Sequence, residues 1–186
     1  MAHLSPEELL KRFLATREAA GDARHTTPEQ FQLLRELVRD CPAFTPGLLE
    51  LARLLQLTEE PGVDAEVAFA EVQRMLEQAV LVSRREARAL VELGYFMDVF
   101  RNREADALAL WEEGAAHSLK TLEDAWAGLL RTWGDQRTPD SLGKALRLAE
   151  TAEKVFPESF RIRDEVDMVR TYARQDGLLK PDSAGP

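Results

Sequence analysis

Leucine and alanine make up 53 of the chain's 186 residues, whereas isoleucine and valine make up 12. Side chains without a branch at Cβ keep their rotamer freedom in a helix, and β-branched ones are the residues that fill sheets, so this imbalance points to an all-α fold. The 45% apolar content is enough for a core at this length, and 10 glycines with 9 prolines are too few for a disordered or collagen-like chain.

Capping signals cut the chain into about nine helices. Ser5-Pro6-Glu7-Glu8, Thr27-Pro28-Glu29-Gln30, Thr45-Pro46 and Thr138-Pro139-Asp140 each set a hydroxyl ahead of a proline that a first helical turn tolerates. Helices are expected over 6–20, 28–41 and 45–57, with apolar faces such as Phe31, Leu34, Leu37 and Val38 in the second. Glu59-Glu60-Pro61-Gly62-Val63 reads as a loop, and Asp64 as the cap of a helix that ends at Val82. Ser83-Arg84-Arg85-Glu86 has the form of a capping box, which predicts a boundary there and a fifth helix over 84–100. A turn at Asn102-Arg103-Glu104, a short helix through Ala115, a cap at Ser118 and helices over 118–133, 139–156 and 159–175 complete the set. Residues 177–186 read as a frayed tail.

Lysine and arginine number 24 against 33 aspartates and glutamates, a formal charge of −9. A polyanion would be repelled over most of such a surface, so no nucleic-acid partner is expected. The single Cys41 makes no intramolecular disulfide, and Met1-Ala2-His3-Leu4 lacks the basic and apolar regions of a secretory leader. No apolar run approaches the roughly 18 to 20 residues of a membrane span. The expectation is a cytoplasmic protein with no membrane partner.

Chemistry is sparse. Glu113 and His117 share a helical face and are the only candidate metal pair, but no His-Glu-x-x-His supports them, and solvated side chains near a helix end is the plainer reading. Cys41, beside Arg39, reads as a structural cysteine at a helix end. No Gly-x-Gly-x-x-Gly loop is present, Gly143-Lys144 falls inside a helix, and the acids from Glu150 to Asp167 are scattered over amphipathic faces. No catalytic residue, no metal site and no cofactor are expected.

The helices repeat in pairs. Leu48-x-x-Leu51-Ala52-x-x-Leu55 with Val72-x-x-x-Leu76-x-x-Ala79 is a first copy. Leu90-x-x-Leu93-Gly94 with Ala107-x-x-x-Trp111-x-x-Gly114 is a second. Trp126-x-x-Leu129-Leu130-x-x-Trp133 with Ala145-x-x-x-Ala149-x-x-Ala152 and Pro157 is a third. Ala52, Ala79, Gly94, Gly114 and Ala152 are the small positions that let helices approach closely. The pattern resembles the tetratricopeptide repeat over residues 46–157, with longer intra-repeat turns than the family's, Leu130 at a small-residue position and the terminal proline in the third copy alone. The resemblance implies an array of antiparallel helical hairpins, with residues 1–45 packing on its N-terminal end and 158–176 as a capping helix.

In that family the first helices of successive repeats line a concave groove. Carried over, the groove positions are Leu49, Glu50 and Arg53; Arg88, Val91, Glu92 and Tyr95; and Asp124, Ala127, Gly128 and Arg131. The family's carboxylate-clamp subgroup uses asparagines at such positions, and none stands there in this chain. The resemblance therefore implies a non-catalytic module that binds a peptide or protein partner, with Arg53, Arg88 and Arg131 in one groove and, from the acidic balance, a partner patch that is basic or of mixed charge. A stoichiometric inhibitor of another protein and a helical-bundle enzyme or small-ligand binder are the competing classes. Oligomeric state stays open.

Overall fold

The computed structural model describes residues 4–19, 27–58 and 64–179. Among them are eight helices and no strand: α1 (Pro6–Glu18), α2 (Pro28–Asp40), α3 (Thr45–Leu57), α4 (Ala65–Val82), α5 (Ala87–Arg101), α6 (Glu104–Gln136), α7 (Pro139–Val155) and α8 (Phe160–Gln175). The residues between the first two expected helices, the loop at 59–63 and most of the expected tail lie outside the described residues.

Most helix starts follow from capping of otherwise unpaired amides. The Ser5 hydroxyl accepts from Glu8, Thr27 from Gln30, Asp64 from Glu66 and Val67, and Ser159 from Ile162. Thr138 and Ser141 cap one another reciprocally at α7. Each such bond is worth about 1 kcal/mol; the exception among the hydroxyl-proline pairs is Thr45-Pro46, where Thr45 lies inside α3 and no side chain caps the helix.

Three boundaries differ from expectation. Helix α5 begins at Ala87, because Arg84 and Arg85 take left-handed backbone angles (φ 56° and 63°) and the Arg85 amide closes the end of α4 on the Val80 carbonyl at 2.8 Å. Ser83 does accept from the Glu86 amide, as the box predicts, but the two residues between them are not helical. No turn occurs at Ser118: α6 runs 33 residues without a break, so the sixth and seventh expected helices are one and the count is eight. The flanking Ala115-Ala116-His117 and Leu119-Lys120 hold no glycine or proline, and good helix formers on both sides outweigh a lone serine. Finally, Gly177 to Leu179 are not frayed: Gly177 is left-handed (φ 75°), and the Leu178 and Leu179 amides donate to the Ala173 carbonyl at 2.8 and 3.1 Å, a glycine-terminated helix end.

The chain divides into two compact units, Met1–His117 and Ser118–Pro186. In the first, α3 packs on α2, α4 and α5, α4 also packs on α5, and α1 packs on α2. Helix α3 is buried nearly all round through Leu48, Leu49, Leu51, Ala52, Leu54 and Leu55, leaving Glu50, Arg53 and Leu57 along an open strip. The small residues sit where helices touch. Ala52 and Ala79 are fully buried. A Cβ on Gly94 would lie 2.5 Å from Trp111 Nε1 and 2.7 Å from its Cδ1, and one on Gly114 would lie 3.0 Å from Val91 Cγ2. The Trp111 indole N–H donates to the Val91 carbonyl at 3.3 Å, which ties α6 to α5.

In the second unit the later part of α6 packs with α7 and α8 around Ala127, Leu130, Ala145, Ala149, Ala152, Ile162, Val166 and Val169. Trp126 meets Phe156 edge to face at 5.7 Å, and the Ser159 hydroxyl donates to Glu123 at 2.5 Å. Leu130 is fully buried here, the large exception to the small-residue pattern.

Alanine in place of a mid-helix glycine gains about 1 kcal/mol of helix propensity. Gly128, whose Cβ would meet nothing within 4 Å, should show that gain in Gly128→Ala as a higher urea midpoint by circular dichroism. Gly94→Ala should lose about 1–3 kcal/mol instead, because the indole has to move.

Candidate functional site

The first unit brings together part of the expected groove. On α3 the Arg53 guanidinium donates to Glu50 at 2.7 and 3.3 Å. That pairing, and then the charge of Glu92 on α5, raise the Arg53 pKa. Arg88, Glu92 and Tyr95 follow one another at helical spacing on α5. Arg88 is exposed and has no hydrogen bond or ion pair among the described residues. Tyr95 is 56% exposed yet its ring rests on Trp111, with centroids 5.2 Å apart, so the aromatic is held rather than loose. Val91 is half-buried. Leu49, expected to face the groove, lies in the core instead at 5% exposure, because α3 is enclosed on that side by its neighbours.

The remaining groove residues belong to the second unit. There Asp124 is held by Lys120 at 3.3 Å and by Arg161. Ala127 is enclosed in the core of that unit, so it offers no surface. Gly128 is half-buried, and Arg131 is exposed with no ion pair among the described residues.

A second feature of the first unit was not anticipated. The Arg85 guanidinium grips Glu113 with two bonds of 2.5 Å, and the Arg85 carbonyl lies 2.7 Å from His117 Nδ1. A carbonyl only accepts, so Nδ1 carries the proton. Glu113 and His117 thus clamp the α4–α5 turn to α6 rather than present a ligand pair, and no cluster of three metal-binding side chains occurs among the described residues. The clamp pairs residues 28 apart, a separation that helical periodicity does not encode. Around it lie two clefts that share Glu77 and Arg85: one of about 330 Å³, floored by Met97 and Leu110, and one of about 520 Å³ along Val80, Leu81 and Leu93. Cys41 is half-buried at the end of α2, where its amide donates to the Leu37 carbonyl. Among the described residues no helix is long and apolar enough to cross a membrane.

The all-helical fold of the described residues, with these close helix contacts, is consistent with the tetratricopeptide-repeat class. The Myxococcota tetratricopeptide repeat protein family matches residues 1–84, which hold α1 to α4. The "uncharacterized 18.1 kDa protein in carS 3′ region" of Myxococcus xanthus is 31% identical over 171 residues, 92% of this chain and 96% of that protein. The chain belongs to this Myxococcota tetratricopeptide repeat family. Repeats of this type generally bind protein partners and are generally non-catalytic.

The hydrogen bonds from Arg85, and then the charges of Arg85 and His117, hold the Glu113 carboxyl below its ordinary value of 4.5. A depressed carboxylate stabilises the fold above its unfolded pKa, and that stabilisation is lost as pH falls through the lower folded value. Melting Glu113→Gln beside the parent should therefore show a lower Tm for the variant at neutral pH and a gap that closes as pH drops below about 4.

Proposed function

We propose that this protein is a non-catalytic interaction module that docks a peptide or protein partner on the α3–α5 face of its first unit, the helix pairs serving as antiparallel hairpins. Tyr95 carries this reading. An aromatic more than half exposed, fixed against Trp111 and sharing a helical face with Glu92, which faces Arg53, and with Arg88, which has no ion pair among the described residues, has the makeup of a binding anchor: large area, little entropy left to lose, and charged neighbours that set orientation. Arg131 belongs to the second unit, and the surface proposed here is confined to the first.

Charge points to the partner. Residues 1–117 hold 13 Lys and Arg against 21 Asp and Glu, a formal −8, whereas residues 118–186 hold 11 against 12, a formal −1. A contact patch that is basic or of mixed charge complements the first unit, and the acidic balance disfavours nucleic acid. The reading includes a cytoplasmic setting and no cofactor.

Affinity purification from the native host with mass spectrometry identifies the partner, and titration against variants then tests the surface. Tyr95→Ala and Arg88→Glu should each weaken binding about tenfold or more, roughly 1.4 kcal/mol, with the Tm nearly unchanged. Undiminished affinity in both variants rejects the α3–α5 face.

A further inference from the structure

The larger cleft lies on the other side of α5. At 100° per residue, Leu93 and Met97 point away from the strip of Arg88, Glu92 and Tyr95, so this cleft is separate from the surface proposed above. It is apolar along its length, with Val80, Leu81 and Leu93 as lining, and Leu81 is 77% exposed. Glu77 lines it from within α4, five residues before that helix ends, and Arg84 lines it from the turn just beyond Val82.

Arg84 is the unusual member. Its backbone is left-handed at φ 56°, a conformation that is strained for a side-chain-bearing residue and that glycine adopts freely. Arg85 next to it, equally left-handed, uses its side chain on Glu113, and Arg103 is paired with Asp106. The Arg84 side chain makes no hydrogen bond or ion pair among the described residues, so nothing within them accounts for an arginine there. Glu77 accepts only from the neutral Gln73 amide, at 2.8 Å, and has no cationic partner among the described residues. The cleft thus has an apolar floor, one uncompensated cation and one uncompensated anion, in that order from the end of α4 backwards.

We propose that this cleft takes an amphipathic helix of a partner protein, whose acidic residue pairs with Arg84, whose basic residue two turns later pairs with Glu77, and whose bulky apolar side chains between them cover Leu81, Val80 and Leu93. The charge order sets the direction. Acid toward the N-terminus and base toward the C-terminus is the arrangement that a helix dipole favours, and it runs the guest antiparallel to α4. A small molecule fits less well, since such sites bury most of their ligand and Leu81 is open to solvent.

The probe is a synthetic, fluorescently labelled, alanine-based peptide of about 18 residues carrying Glu and Lys seven positions apart with leucines between them, titrated against the full chain. Saturable binding is expected, with amide shifts in NMR spectra centred on Leu81 and Leu93 and not on Tyr95. Arg84→Glu and Leu81→Ser should each weaken it tenfold or more, and Tyr95→Ala should leave it unchanged. The peptide with Lys and Glu exchanged should bind the parent weakly and the Glu77→Lys, Arg84→Glu double variant well. Arg84→Gly, which relieves the left-handed strain, should melt no lower than the parent and still lose affinity, so that lost binding is not lost folding. No saturable binding up to about 1 mM, equal affinity for the two peptides, or indifference to Arg84→Glu and Leu81→Ser overturns the proposal.

Discussion

The first unit depends on a contact with no spare room. Gly94 presents bare backbone to the Trp111 ring, and the indole N–H spends its hydrogen bond on the α5 carbonyl of Val91. Buried indoles need both apolar cover and an acceptor, and here one helix supplies both. Gly114 lets α6 come close to Val91 one turn further on. With α6 drawn in to this distance, Tyr95 gains a rigid backing on one side of α5, and the Arg85–Glu113 clamp closes on the other. Van der Waals contact falls off steeply with separation, so widening this seam would loosen all three at once.

Helix α5 consequently has two distinct faces. One carries Arg88, Glu92 and Tyr95 beside the Glu50–Arg53 pair of α3; on the other, Leu93 lines the larger cleft and Met97 the smaller one. The turn that delivers α4 to α5 is tight, with two successive left-handed arginines where glycine or asparagine would be unstrained. Strain of this kind persists when neighbouring structure holds it, and here the holding groups are visible: the Val80 carbonyl behind the Arg85 amide, and Glu113 and His117 ahead of it.

Membership of the tetratricopeptide class sits beside a departure from its pattern. The repeats require a turn between the second helix of one copy and the first helix of the next, and between the second and third copies that turn is replaced by continuous α6. Acidity is uneven as well, being concentrated in residues 1–117.

Local signals made most of the architecture legible in the chain. Hydroxyl-proline starts, helical apolar spacing and small residues at Ala52, Ala79, Gly94, Gly114 and Ala152 all act within one or two turns, so they are written in adjacent residues and located helices and close contacts well. The boundary at Ser83 was equally readable, but the left-handed pair that follows it was not, since only packing of α4 against α5 and the reach of Arg85 to Glu113 select that conformation over two more helical residues. Ser118 had the right residue type for a cap and no break to accompany it, and helix propagation carried through. Groove positions transferred from a repeat pattern fared unevenly for the same reason: Tyr95 and Arg88 are open, whereas Leu49 and Ala127 are enclosed by neighbours that a linear pattern does not see. The chain's own residue order set where helices form and which side chains are small enough to let them meet; which faces were then left uncovered, and which distant charges met across them, was decided by the packing of helices whose contacts lie tens of residues apart.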